Sequence, residues 1–357
     1  MARAVALLTA GISLLLAAFA WPSVRSSVHD VPIAVAGPAP AVEQFTAVLG
    51  QRLPGGFEVT EVADTAAAER LIRHREVYGA IDLGSGTPQV ITASGASIAV
   101  AQTLNGIATG LGRAPSAGTT EADTTEAGTA GAGTTGAATS GAGPTEAGAA
   151  GAGTTPTVRD LVPLPVDDPR GAGLAAGALP LVMGGLLAAL LLTRLVRGRT
   201  RRVAGALAFA VTGGLATATI LHLWFGSLDG SFWANGGAIA LTLAATSLSI
   251  LGLASLLGSV GFGLGAAVMM LVGNPLSGTA TAPEMLPGWS GALGQLLPPG
   301  AGGRLLRSTA FFDGHGATGP VVVLAAWLAL GVVLCLAGGL RARTAAALAG
   351  PPAPATA

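Results

Sequence analysis

Between Asp229 and Glu284 lie 54 consecutive residues, 230–283, without one charged side chain. As a single helix this stretch would run roughly 80 Å at 1.5 Å per residue, far beyond the roughly 30 Å of hydrocarbon in a bilayer. It has to fold back on itself. Leu256-Leu257-Gly258-Ser259 is the expected turn, because Gly and Ser punctuate a helix there. That division predicts one helix near 235–255 and a second near 260–273, ended by Asn274-Pro275.

Other long charge-free runs are 4–24, 171–193, 203–228 (with one histidine) and 314–340. Each meets the length of about 20 apolar residues that a span requires. Charged residues make up 10% of the chain and mean hydropathy is +0.65, against roughly 25% charged in a soluble domain. The expectation is an α-helical integral membrane protein with six transmembrane helices.

Arginine orients these helices. Arg194, Arg197, Arg199, Arg201 and Arg202 lie between the second and third, Arg341 and Arg343 follow the sixth, and Arg3 precedes the first. The positive-inside rule makes those places cytoplasmic. Alternation then puts 25–170, 226–234 and 274–318 outside, with both termini inside a cell (plasma) membrane. The first helix has a second reading. Arg3, an apolar run and Ala18-Phe19-Ala20 also fit a cleavable signal peptide. The run is long for such a peptide, so an uncleaved anchor over 1–24 is the reading taken.

Residues 25–113 are expected to form an extracytoplasmic α/β domain. Val31 to Ala36, Phe57 to Val62, Val77 to Leu83 and Gln89 to Ala93 read as strands. Helical spacing joins Val42, Phe45, Leu49 and Leu53, and again Val100, Leu104, Ile107 and Leu111. Asp64 is placed to cap a helix carrying Ala67, Leu71 and Ile72. Strand–helix alternation argues a parallel or mixed sheet. Residues 114–157 contain only Ala, Gly, Thr, Ser, Pro, Glu and Asp, so they are expected to be a disordered insertion, a spacer or a glycosylated stalk. Residues 158–170 then add a last strand and lead into a five-helix membrane domain, 171–340, followed by a cytoplasmic tail, 341–357.

Several function classes are excluded. Net charge is zero, with 18 basic and 18 acidic residues, so there is no electrostatic footprint for nucleic acid. Every basic residue is arginine. Without lysine there is neither a complete Walker A motif nor Schiff-base chemistry. His29, His74, His222 and His315 are scattered, and the single Cys335 reads as a small packing residue inside a helix. No catalytic, cofactor-binding or metal-binding residue is assigned, and the chain is expected not to be an enzyme. No carboxylate falls within a span, which disfavours proton coupling. Gly261 and Gly265 form a G-x-x-x-G face for close helix packing, in the chain or with a dimer mate. The apolar segment 274–318 reads as short helices at the outer interface, with a re-entrant element as the sharper alternative. Arg304 and Arg307 share a helical face there.

The order of parts, with Val31-Pro-Ile-Ala-Val-Ala-Gly37, Arg75-Glu-Val-Tyr-Gly-Ala-Ile81, Val162-Pro-Leu-Pro-Val-Asp-Asp-Pro-Arg-Gly171, Asn274-Pro-Leu-Ser-Gly278, Pro298-Pro-Gly-Ala-Gly-Gly303 and Phe311-Phe-Asp-Gly314, resembles the membrane subunits of type-2 ABC exporters, especially the phage-infection-protein (Pip) branch. That resemblance implies one helix, a large external domain and a block of five helices. It also implies a separately encoded ATPase at the cytoplasmic face, and a homodimer or a paralogous membrane subunit as partner. Two features depart from the pattern. Only Met1-Ala2-Arg3 precede the first span, and the 194–202 loop is too short for a coupling helix. The alternative is a cell-envelope scaffold or receptor that transports nothing. Membrane lipids are partners in either reading.

Overall fold

The structure, a computed structural model, describes residues 2–84, 86–112 and 156–348. Most of 114–157, expected to be disordered, lies outside the described residues, as do 349–357 of the expected tail. The described residues are mostly helical, with one five-stranded sheet.

Helix α1 (Ala2–Val24) leads into the sheet unit. Its strands are β1 (Val31–Ala36), β2 (Phe57–Val62), β3 (Gly79–Asp82), β4 (Gln89–Thr92) and β5 (Thr157–Asp160), in the order β2-β1-β3-β4-β5. Only the β3–β4 pair is antiparallel, so the sheet is mixed. The strand after the insertion is shorter than the sequence implied and starts at Thr157, inside the stretch expected to be disordered. Residue parity assigns the two faces, as the pleat requires. Val31, Ile33 and Ile81 pack with Leu49 of α2 (Ala39–Arg52) and Leu104 of α4 (Ile98–Gly112). Ala34, Ala80 and Ile91 pack on the other face, with Ala68 and Ile72 of α3 (Thr65–Arg73). Asp64 caps α3 as expected, accepting the Ala67 N–H at 2.6 Å.

Among the described residues, four helices are long and apolar enough to cross a membrane: Ala172–Leu195, Arg199–Trp224, Phe232–Leu257 and Thr318–Gly338. They are α5, α6 with a π-helical end (Thr219–Trp224), α7, and the apolar part of α11 (Thr318–Leu348). Two further apolar helical stretches, Thr9–Val24 and Ser259–Gly273, are shorter. Asp168 starts α5 by accepting the N–H groups of Ala172 and Gly173 at 2.7 and 2.8 Å. The long charge-free run does fold back at Gly258, whose φ of +64° suits glycine, between α7 and α8 (Ser259–Ala267). A π-helical turn, Val268–Gly273, carries α8 to Asn274-Pro275, where it stops.

Helix α7 is the centre of the bundle; α5, α6, α8 and α11 all pack on it. Small residues allow the close approach. A side chain at Gly331 would overlap the Leu248 backbone, and one at Gly261 would overlap the Leu253 carbonyl. The G-x-x-x-G face therefore packs within the chain, against α7. Hydroxyls add polar ties. Ser249 and Ser255 of α7 donate to the carbonyls of Trp327 and Leu334 of α11 at 3.2 and 2.9 Å. Cys335 is buried beside Leu251 and Met269.

The arginine-rich connection between α5 and α6 differs from expectation. It is not a nine-residue loop: Arg194 belongs to α5, Arg199, Arg201 and Arg202 to α6, and only Val196, Arg197 and Gly198 join them. Arginine is a good helix former, so the charges do not mark where helices end. Arg202 closes the turn by donating to the carbonyls of Val196 and Thr193, both at 2.8 Å.

Candidate functional site

Among the described residues, the chain passes between the sheet unit and the bundle at one edge of the sheet, the row of strand ends where 25–30 enter β1 and 161–171 leave β5 for α5; the β4–α4 turn, 93–97, lies at the same strand ends. Against this edge lies the segment between α8 and α11. It contains two short 3-10 turns, Pro275–Ser277 and Pro283–Met285, then α9 (Ser290–Gln295) and α10 (Pro298–Phe311). These are short helices, as expected for 274–318.

The segment grips the edge on both faces. Met285 and Ala282 enter the core formed by α2 and α4, while Phe312 enters the core on the α3 side. Between the two plugs, polar groups cross the junction. Tyr78, just before β3, donates its hydroxyl to Oε2 of Glu284 at 2.7 Å. Arg75 donates to Oγ of Ser308 at 2.6 Å and to the Arg304 carbonyl at 2.9 Å, with its guanidinium 5.0 Å from the Phe312 ring centre. Arg307, buried on α10, donates to the carbonyls of Gly95, Ala96 and Thr279 at 3.3, 2.9 and 2.6 Å. One guanidinium thus joins the β4–α4 turn to the 278–282 loop.

The electrostatics follow from burial. Loss of water pulls the Arg75 guanidinium below its ordinary value, to about 10; nearby Tyr78 and Glu284 oppose the shift, and Arg304 and Arg307 add to it. Burial also lowers Arg307. Burial, then the Glu284 charge and its hydrogen bond, push the Tyr78 phenol far above its ordinary value of 10.

These groups line a cavity of about 130 Å³. Its wall holds three guanidinium groups, Arg75, Arg304 and Arg307, against the carboxylates of Glu76 and Glu284. Arg304 is exposed, and its side chain has no hydrogen-bond or ion-pair partner among the described residues. Gln295 donates to the Ser277 carbonyl at 2.9 Å, while its own buried Oε1 receives no donor. Sequence reasoning assigned no site residue. It placed Arg304 and Arg307 on one face, and both do line this cavity; Arg75, Tyr78 and Glu284 carried no such signal, because their partners are far away in the chain.

The histidines are not wholly scattered. His74 of the sheet unit and His315 before α11 stack with ring centres 4.6 Å apart. Among the described residues no three His, Cys, Asp or Glu side chains gather as a metal site would require. His222 lies in the π-helical end of α6, edge-on to Phe232. No family model, curated protein or solved structure matches the chain.

Proposed function

We propose that the chain is the permease-like membrane subunit of an export system, of the type-2 ABC kind that its sequence resembles, powered by an ATPase on a separate chain. In this reading six helices cross the plasma membrane: α1, α5, α6, α7, α8 with its π-helical end, and α11. The sheet unit is an inserted domain on the outside, and both termini are inside. The π-helical widening at Val268–Gly273 is the kind of feature found at working sites in helices.

The observation that carries this reading is the grip of 274–317 on the sheet edge. Arg75, Tyr78 and Arg307 tie the external unit to the segment that connects α8 with α11. A rearrangement of the bundle is thereby passed to the external unit as a movement of a packed body. The partner set is an ATPase at the cytoplasmic face, a second copy or a paralogous subunit, and lipid; nucleic acid has no place in it.

A second reading, an envelope scaffold or receptor, is favoured by the α5–α6 connection. It is three residues long, and Arg202 is committed to closing it, so little is left to dock an ATPase. Purification of the full chain from its own membranes in mild detergent separates the two. The export reading expects a co-purifying ATPase whose hydrolysis rate changes when the membrane subunit is present. Membranes that yield the chain alone, with no ATPase retained, overturn it in favour of the scaffold.

A further inference from the structure

A second hollow of about 220 Å³ lies beside the cationic cavity. The two share Ser277, Gly278, Thr279 and Thr281 as a common wall. Beyond that wall the character changes. The second hollow is walled by Phe19 and Pro22 of α1, Ala175 and Leu179 of α5, and Leu286. It lies between the last turns of α1 and the first turns of α5, where Leu179 presents exposed apolar surface. A polar, positively lined chamber and an apolar groove therefore meet across a strip of small side chains.

We infer that this pair of hollows binds one anionic amphiphile, with its phosphate or other acidic headgroup among Arg75, Arg304 and Arg307 and its acyl chain in the groove between α1 and α5. The inference deepens the proposed function by naming the class of molecule, and it stands or falls by binding, whereas that reading stands or falls by an ATPase.

Three observations converge on a ligand. Arg304 lines the cavity with no hydrogen-bond or ion-pair partner among the described residues, although Arg75 stands near enough to repel it. Three guanidinium groups face only two carboxylates, Glu76 and Glu284, so the wall keeps an excess of positive charge. The buried Oε1 of Gln295 lacks a donor, and a headgroup hydroxyl would supply one. The size fits as well. A cavity of about 150 Å³ admits a molecule as small as benzene, so 130 Å³ takes a compact headgroup and excludes a large sugar. An arginine fork suits phosphate and carboxylate oxygens.

The test uses full-length protein in detergent, with phosphatidylglycerol, phosphatidylcholine or inorganic phosphate added, and reads the thermal midpoint and bound lipid by native mass spectrometry. Phosphatidylglycerol is expected to raise the midpoint and be retained, phosphatidylcholine much less. Arg304→Gln removes an exposed side chain, leaves the Arg304 carbonyl bonded to Arg75, and should weaken phosphatidylglycerol binding roughly tenfold or more. Ala175→Trp fills the groove at an exposed position and should reduce lipid binding while leaving the weak effect of inorganic phosphate. Equal binding of the two lipids, or full binding by Arg304→Gln, overturns the inference. Inorganic phosphate matching the lipid in wild type overturns the acyl-chain half and leaves a soluble anion site.

Discussion

The Tyr78 hydroxyl meets the Glu284 carboxylate at 2.7 Å across 206 positions of chain. Tyr78 belongs to the sheet unit and Glu284 closes the 54-residue charge-free stretch. Their contact fixes where the end of that stretch sits against the sheet. Because the donor is a phenol whose titration burial and Glu284 shift upward, the contact can be followed by its pH dependence.

Tyr78 is the only tyrosine in the chain. The tyrosinate band in the near ultraviolet therefore reports this one group. In folded protein no tyrosinate should appear as the pH is carried past the ordinary value of 10. In denaturant the band should appear at that ordinary value, and Tyr78→Phe should abolish it. The sign follows from linkage. The folded pKa is raised, so the contribution of this group to stability is fully present below the unfolded value and is lost as pH climbs from there towards the folded one. A band rising near 10 in folded protein would show that the phenol is neither buried nor held by Glu284.

Arg307→Met should lower stability by about 2–4 kcal/mol, because three carbonyls lose their donor at a buried junction. Arg304→Met, three residues earlier and exposed, should change it by about 0.5 kcal/mol or less. Thermal or denaturant unfolding in detergent reads both. Equal effects would mean that the burial of Arg307 contributes nothing specific.

The approach of α11 to α7 makes a sharp contrast between two glycines. Gly331→Val should strongly reduce the yield of folded protein, since its side chain meets the Leu248 backbone. Gly263→Ala has open space around its Cβ and should be neutral or stabilising, because alanine favours a helix over glycine by about 1 kcal/mol. Size-exclusion profiles and thermal midpoints in one detergent compare them.

Much of the sheet unit is legible in the sequence. Alternation in Phe57–Val62 and the apolar run of Val31–Ala36 give strands at those bounds, because the pleat sets a period of two. The fold-back at Gly258 is equally legible, from length and glycine chemistry. The arginine run misled, since charge was taken to mark a loop and Arg199 to Arg202 instead begin α6. Of the site, only the shared face of Arg304 and Arg307 was legible. Periodicity shows which face of an element is covered, never which element covers it, and Glu284, Met285 and Phe312 meet the sheet only through the return of the chain from the bundle.

The central claim is a membrane subunit with its sheet unit outside and the α5–α6 turn inside. Single cysteines at Gln51, Ala292 and Thr200, all exposed, in a Cys335→Ala background, test it in intact cells with a membrane-impermeant thiol reagent. Gln51→Cys and Ala292→Cys should label from outside, and Thr200→Cys only after the membrane is opened. Labelling of Thr200→Cys in intact cells, with Gln51→Cys protected, would contradict the account.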